Sequence, residues 1–137
     1  MNTNPNYDTQ KDEIEILSNI LFEQIKIIKE EPFYEFEIQI IPDSINEEPP
    51  KIKIIFSVTF NNEYPNSLPK FDIVDKTHYV SSKDINMLKD KIIKYHTEES
   101  VGMPVIYQAY EMIKVFIVVR NSKLNYRNLQ MNKRTYL

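Results

Sequence analysis

The sequence predicts an α+β fold in which helices cover one face of an antiparallel sheet of three to four strands, in the order α-β-β-β-(β)-α-α. Three observations predict it. Segments near the start, after Ser81 and after Gly102 carry apolar residues at three- and four-residue spacing, the period of a helix with one buried face. Two segments between them alternate apolar and polar residues, the period of a strand with one wet face. Strands grouped in succession and then helices give separate layers rather than a doubly wound sheet. A chain of 137 residues is the size of one domain.

Each element has its own signals. Thr9 with Asp12 three residues on resembles a capping box, so the first helix is expected from near Gln10. Ile14, Leu17, Ile20, Leu21, Ile25 and Ile28 form its apolar stripe, and Pro32 stops it. Tyr34, Phe36, Ile38 and Ile40 then alternate with Glu35, Glu37 and Gln39 in a first strand. After a connection bracketed by Pro42, Pro49 and Pro50, a second strand follows. It sets Ile52, Ile54, Phe56, Val58 and Phe60 against Lys51, Lys53, Ser57 and Thr59. As antiparallel neighbours, the acidic face of one and the basic start of the other would attract, at roughly 0.2–1 kcal/mol per pair. A third strand is expected at Lys70 to Val74 and a fourth, short one around Thr77 to Val80.

Ser81 and Asp84 repeat the capping signal before a helix marked by Ile85, Leu88, Ile92 and Tyr95. Gly102 breaks the chain. Pro104 then suits a first helical turn, where its missing N–H is no loss, and Ile106, Ala109, Ile113, Phe116 and Ile117 mark the last helix. The expected organisation is a disordered start over residues 1–9, a domain over 10–119, and a basic segment over 120–137 that is a helix extension or a linker.

Composition excludes several chemistries. The chain has no cysteine, hence no disulfide, no thiolate nucleophile and no cysteine-bound metal, and a cytoplasmic home is expected. With one glycine it lacks the glycine-rich loops that cradle phosphates and the Gly-x-Ser-x-Gly nucleophile elbow. The two histidines, His78 and His96, fall in different elements, and the paired acids Glu30-Glu31, Glu47-Glu48 and Glu98-Glu99 point apart and flank loops. No catalytic residue, metal site or cofactor is therefore expected. The start is polar and the longest apolar run is only Val115 to Val119, so no membrane span is expected either.

Net charge is −3 but unevenly placed: residues 1–50 hold twelve acids against three bases, and residues 120–137 hold five bases and no acid. Five positive charges favour a solvated tail over a nucleic-acid contact. The aromatic residues fall at core-facing positions of strands rather than in an exposed stripe.

One motif stands out. Tyr64-Pro65-Asn66-Ser67-Leu68-Pro69 is a Tyr-Pro-x-x-x-Pro segment between two strands, in which each proline fixes its own φ and biases its predecessor to extended backbone. Successive tight turns are thus preset, with Tyr64, Pro65 and Pro69 as structural residues and the Tyr64 hydroxyl expected on a backbone partner. Replacing Tyr64 or Pro69 by alanine is expected to lower stability by roughly 0.5–3 kcal/mol.

With Asp12-Glu13-Ile14-Glu15-Ile16-Leu17 before it and Gly102-Met103-Pro104-Val105-Ile106-Tyr107 after it, this segment resembles the RWD family over residues 10–119. Pro104 and the 121–137 segment depart from the family's pattern. The resemblance implies a fold related to ubiquitin-conjugating enzymes without their catalytic machinery, and a protein-docking role. The best-known arrangement places such a domain at the start of the starvation-activated translation-initiation kinase, where it binds a ribosome-associated HEAT-repeat activator. A non-catalytic ubiquitin-system module is the alternative, as is ribosome or nucleic-acid contact through Arg120, Lys123, Arg127, Lys133 and Arg134. The expected partner-binding positions are exposed ones of the second helix and the loop that follows it, such as Lys89, Asp90, Glu98 and Glu99.

Overall fold

The computed structural model describes residues 4–43 and 51–135, with side chains as far as Leu124. The elements are α1 (Tyr7–Ile20), β1 (Ile25–Lys29), β2 (Glu35–Ile40), β3 (Ile54–Thr59), β4 (Lys70–Asp75), α2 (Ser82–Glu99) and α3 (Ile106–Thr135). All strand pairings are antiparallel, in the spatial order β1-β2-β3-β4. The α+β class, with a four-stranded antiparallel sheet and helices on one face, is as the sequence predicts.

The fourth strand is not where it was expected. Residues 25–29 continue no helix: α1 stops at Ile20, Leu21 is its C-cap, and Gln24 and Ile25 both donate backbone N–H to the Leu21 carbonyl in a tight turn. The chain then reverses into β1, pairing Ile25 with Ile38 and Ile27 with Phe36. Positions 21, 25 and 28 fit a helical stripe, but residues two apart fit a strand equally, and three β-branched isoleucines in four residues favour the strand. Conversely, residues 77–80 form a turn. Asp75 captures the N–H groups of Thr77 and Val80, each at 2.8 Å, and also accepts from the Thr77 hydroxyl. Burial pushes the Asp75 carboxyl up, yet these hydrogen bonds outweigh it and hold it below its ordinary range. With the N–H groups of Thr77 and Val80 turned onto this carboxylate, the segment is held as a turn and not extended along β4.

The expected charge pairing also moves by one strand. Glu35 and Glu37 oppose Thr59 and Ser57 of β3, whereas Lys29 and Lys26 of β1 stand opposite them on the other side. The core face of the sheet is Phe36, Ile38 and Ile40 of β2 against Val58, Phe56 and Ile54 of β3, all buried. Onto it pack Ile14 and Leu17 of α1, Leu88 and Ile92 of α2, and Ile106, Ala109, Ile113 and Ile117 of α3.

The helix ends carry further differences. Part of the start that was expected to be disordered is built into the fold: α1 begins at Tyr7, and Asn4 is buried with its Nδ2 donating to the Gln10 Oε1 at 2.9 Å. The N-cap is Asn6, not Thr9, and it makes no side-chain cap bond; Asn4 Oδ1 accepts from its N–H instead. Residues 1–3 lie outside the described residues. Ser81 caps α2 as expected, accepting from the Asp84 N–H at 3.2 Å. Pro104 stands just before α3 rather than in its first turn.

Beyond residue 119 the chain is still helix and partly packed. Asn121 is buried, its Oδ1 accepting the Lys51 N–H at 3.0 Å, and Arg120 is paired with Asp84 at 2.8 Å. The extension is therefore anchored through the residues that the sequence placed in a tail. The side chains of Arg127, Lys133 and Arg134 lie outside the described residues.

Candidate functional site

The polar chemistry of the interior converges on the turn between β3 and β4. Tyr64, Pro65 and Pro69 are buried, and the Tyr64–Pro65 peptide is cis. Asn61 organises the entry: its Oδ1 accepts the N–H groups of Glu63 and Tyr64, both at 2.9 Å, while its Nδ2 donates to the Leu68 carbonyl at 3.3 Å. The Tyr64 ring stacks on Phe60 at 4.7 Å, and Phe60 in turn meets Phe36 edge-on at 5.3 Å. An aromatic column thus runs from the turn into the sheet.

All three helices then hold the turn by hydrogen bonds. From α1, Gln10 Nε2 donates to the carbonyls of Asn61 and Tyr64 at 2.8 and 2.9 Å, and Asn6 Nδ2 donates to the Asn62 carbonyl at 2.7 Å. From α2, the buried His96 places Nε2 3.0 Å from the Pro65 carbonyl, which also accepts the Gly102 N–H at 2.9 Å. Because that carbonyl only accepts, the His96 Nε2 carries the proton. From the start of α3, the Val105 N–H donates to the Tyr64 hydroxyl at 2.8 Å. That hydroxyl in turn donates to Glu13 Oε2 at 2.9 Å, an oxygen that also accepts the Ile106 N–H at 3.3 Å.

Glu13 is the central group. It is 7% exposed, and its second oxygen, Oε1, has no hydrogen-bond partner. Burial pushes its carboxyl up to about 7, against the lowering effect of the Tyr64 and Ile106 hydrogen bonds. Burial likewise pushes the Tyr64 phenol far up, helped by the nearby Glu13 charge.

Gly102 sits where the turn and the α2–α3 connection meet, with φ of +82°, the left-handed region that favours glycine. A Cβ there would meet only Asn66 Oδ1, at an ordinary 3.6 Å. Gly102→Ala is thus expected to cost about 1–2 kcal/mol through backbone conformation alone, measured as a lower urea midpoint with unchanged slope.

The proposed structural residues Tyr64, Pro65 and Pro69 are thereby gathered. The expected backbone partner of the Tyr64 hydroxyl is the Val105 N–H; Glu13 and Gln10 were missed, although both sit on the buried face of α1 one turn apart. The four α2 positions are not gathered. At 3.6 residues per turn, Lys89, Asp90, Glu98 and Glu99 spread around the helix. Asp90, Glu98 and Glu99 are exposed, while Lys89 is half-buried and paired with Asp72 of β4 at 2.6 Å. His78, exposed on the β4–α2 turn, stands apart from His96, and no group able to hold a metal ion occurs among the described residues. No helix among the described residues is long and apolar enough to cross a membrane.

The family model for the RWD domain matches residues 8–117, a span that runs from α1 through this turn to α3. The chain belongs to the RWD domain family. Of solved structures, the RWD domain of mouse GCN2, determined in solution, is similar at 18% identity and a TM-score of 0.70, over 84% of this chain and 88% of that one. No curated protein matches. RWD domains are protein-interaction modules, generally non-catalytic, with a fold related to that of ubiquitin-conjugating enzymes. In this RWD domain the match ends near Ile117, while α3 continues to Thr135.

Proposed function

We propose that this RWD domain docks a protein partner in translation-stress signalling, a ribosome-associated HEAT-repeat activator being the partner that the family resemblance favours. One observation carries the docking reading. Gln10, Glu13, Tyr64 and His96, four polar side chains of the interior, hydrogen-bond to the turn and to the start of α3, which supports a structural role for them and leaves the rigidly held surface to bind a partner. The end of α2 and the loop after it offer such a surface, setting exposed Glu98 and Glu99 beside exposed Val101 and Met103. With Asp90 these are the contact positions we assign; Lys89 contributes less, because Asp72 already engages it.

Affinity capture of the tagged chain from its native lysate, at moderate and high salt, tests this reading. A HEAT-repeat activator retained at both salts, and lost with Glu98→Lys and Glu99→Lys together, is the expected result. Unchanged capture by that double variant would remove these positions from the interface. A second reading, a non-catalytic ubiquitin-system module, is favoured by the fold relation and by the absence of any cysteine for a thioester. Capture of ubiquitin-ligase components instead would select it. Ribosomal material that is lost at high salt would point to the basic end of α3, where Lys123 is exposed.

A further inference from the structure

The outward side of α3 carries a ridge that the fold leaves uncovered. Tyr107, Glu111, Val115, Val119 and Lys123 follow one another at four-residue spacing, and all five are exposed. They stand about 200° around the helix from Ile113 and Ile117, which are buried in the core. Val115 and Val119, at the middle of the ridge, are 60% and 51% exposed, on the side where a surface helix ordinarily carries polar residues. In this stretch α3 is apolar on two opposite sides, and one of them has nothing packed on it.

The order of residues along this ridge is self-complementary. Val115 and Val119 lie two residues either side of position 117, and Glu111 and Lys123 lie six residues either side of the same position. A two-fold axis through that point sets Val115 on Val119 of a second copy and Glu111 against its Lys123, at both ends alike. An unrelated partner would require no such symmetry. Neither charge is answered by an opposite one within the chain: the ion pairs of the described residues are Lys89–Asp72, Lys114–Asp43 and Arg120–Asp84. Glu111 reaches only the Tyr107 hydroxyl on its own ridge, and holds that phenol above its ordinary range. Charge at the helix ends agrees with this direction. Residues 120–137 hold five bases and no acid, while exposed Asp12 of α1 shares a groove with Tyr107 near the start of α3. Antiparallel helices bring the basic end of one toward the acidic start of the other, whereas parallel helices would set base on base.

We propose that this ridge is an interface between two copies of the chain, which cross antiparallel about position 117 with Val115 packed on Val119, and Glu111 paired with Lys123, of the second copy. Ridges of residues four apart interdigitate at a crossing angle of about −50°, the commonest packing of helices in globular proteins. The crossing buries the two valines of each copy, and the ion pairs at its ends fix its direction. A single helix crossing is a small interface, so the association is weak and depends on concentration. The inference is independent of the docking reading, since it uses neither Glu98 nor Glu99.

The test is sedimentation equilibrium of the full chain from about 5 to 500 µM, the range in which a small interface is populated. The average mass should rise with concentration from 16.4 kDa toward twice that value. Glu111→Lys or Lys123→Glu alone turns two attractions per dimer into two repulsions and should weaken association about three- to thirtyfold. The double variant carrying both changes restores opposite charges about the same axis, and should associate within about twofold of the parent. An equal mixture of the two single variants should likewise associate better than either alone. Val115→Asp, at a largely exposed position, should keep the parent's circular dichroism and stay monomeric throughout. A mass of 16.4 kDa at every concentration of the parent would overturn the proposal, as would association that the single charge variants leave unchanged or that the double variant fails to restore. A monomeric parent that captures a different protein from lysate, and loses it with Val115→Asp, would assign the ridge to that protein and overturn self-association.

Discussion

Replacing Tyr64 by alanine is expected to lower the stability of this domain by about 3–5 kcal/mol, the range for deleting a large buried aromatic. That exceeds what the turn alone suggests from sequence, because the ring is 1% exposed, stacks on Phe60 and lies within the core rather than over it. Tyr64→Phe separates the hydroxyl from the ring. It leaves the Val105 N–H buried without its acceptor and takes one donor from Glu13, so a loss of about 1–3 kcal/mol is expected. Urea unfolding of the two variants beside the unaltered protein checks both values. A phenylalanine variant as stable as the parent would show that the hydroxyl bridge between the turn and two helices adds nothing. Pro69→Ala should stay within the smaller range, since it removes a conformational constraint and leaves the bridge intact.

The second large effect is a dependence on pH set by Glu13. Its carboxyl is pushed from 4.5 up to about 7 by burial, so between those values the folded protein holds a proton that the unfolded chain has lost. Stability from this group is fully present below pH 4.5 and declines as pH rises toward 7, by about 3 kcal/mol over the interval. Asp72 and Asp75 act on the other side. The Lys89 ion pair holds Asp72 low and hydrogen bonds hold Asp75 low, so their contribution is present above the ordinary carboxylate value and lost only in more acid solution. Glu13→Gln keeps the shape and the acceptor for Tyr64 and Ile106 but cannot ionise. Urea midpoints between pH 4.5 and pH 8 should therefore fall for the parent and stay flatter for the variant. Parallel curves for the two proteins would mean that Glu13 ionises in the folded state as readily as in the unfolded one.

Both predictions concern residues of one buried network, and the network divides what was legible in the sequence from what was not. The alternation in residues 34–40 and 52–60 announced β2 and β3, because a strand with one buried face must alternate whatever it pairs with. Ser81 with Asp84 announced the start of α2, a local bond between residues three apart. The prolines announced the turn, and with the flanking stretches they pointed to the family. Such signals are legible because their causes lie within a few residues of chain.

The misreadings share the opposite property. Nothing local ends α1 at Ile20: no glycine or proline stands there, and Ile25 fits a helical stripe as well as a strand. What decides is the reversal that lays residues 25–29 along β2, a gain visible only when β2 is in place. The Thr77 to Val80 segment has strand-like residues but lies within reach of the Asp75 carboxylate, which claims its N–H groups. Glu13 looked like one more acid on a polar helix among many. Its role depends on Tyr64, 51 residues away, and on the Ile106 N–H, 93 residues away.

By itself, then, the sequence determined the fold class, most element identities, the turn and the family, since periodicity, caps and prolines act through neighbours in the chain. Tertiary structure alone decided where the first helix stops, that a fourth strand lies at the N-terminal edge, and that Glu13 is buried with one oxygen unanswered. Burial and hydrogen-bond satisfaction are properties of packed surfaces brought together from distant segments, and a linear pattern carries them only where the distant partner is already known.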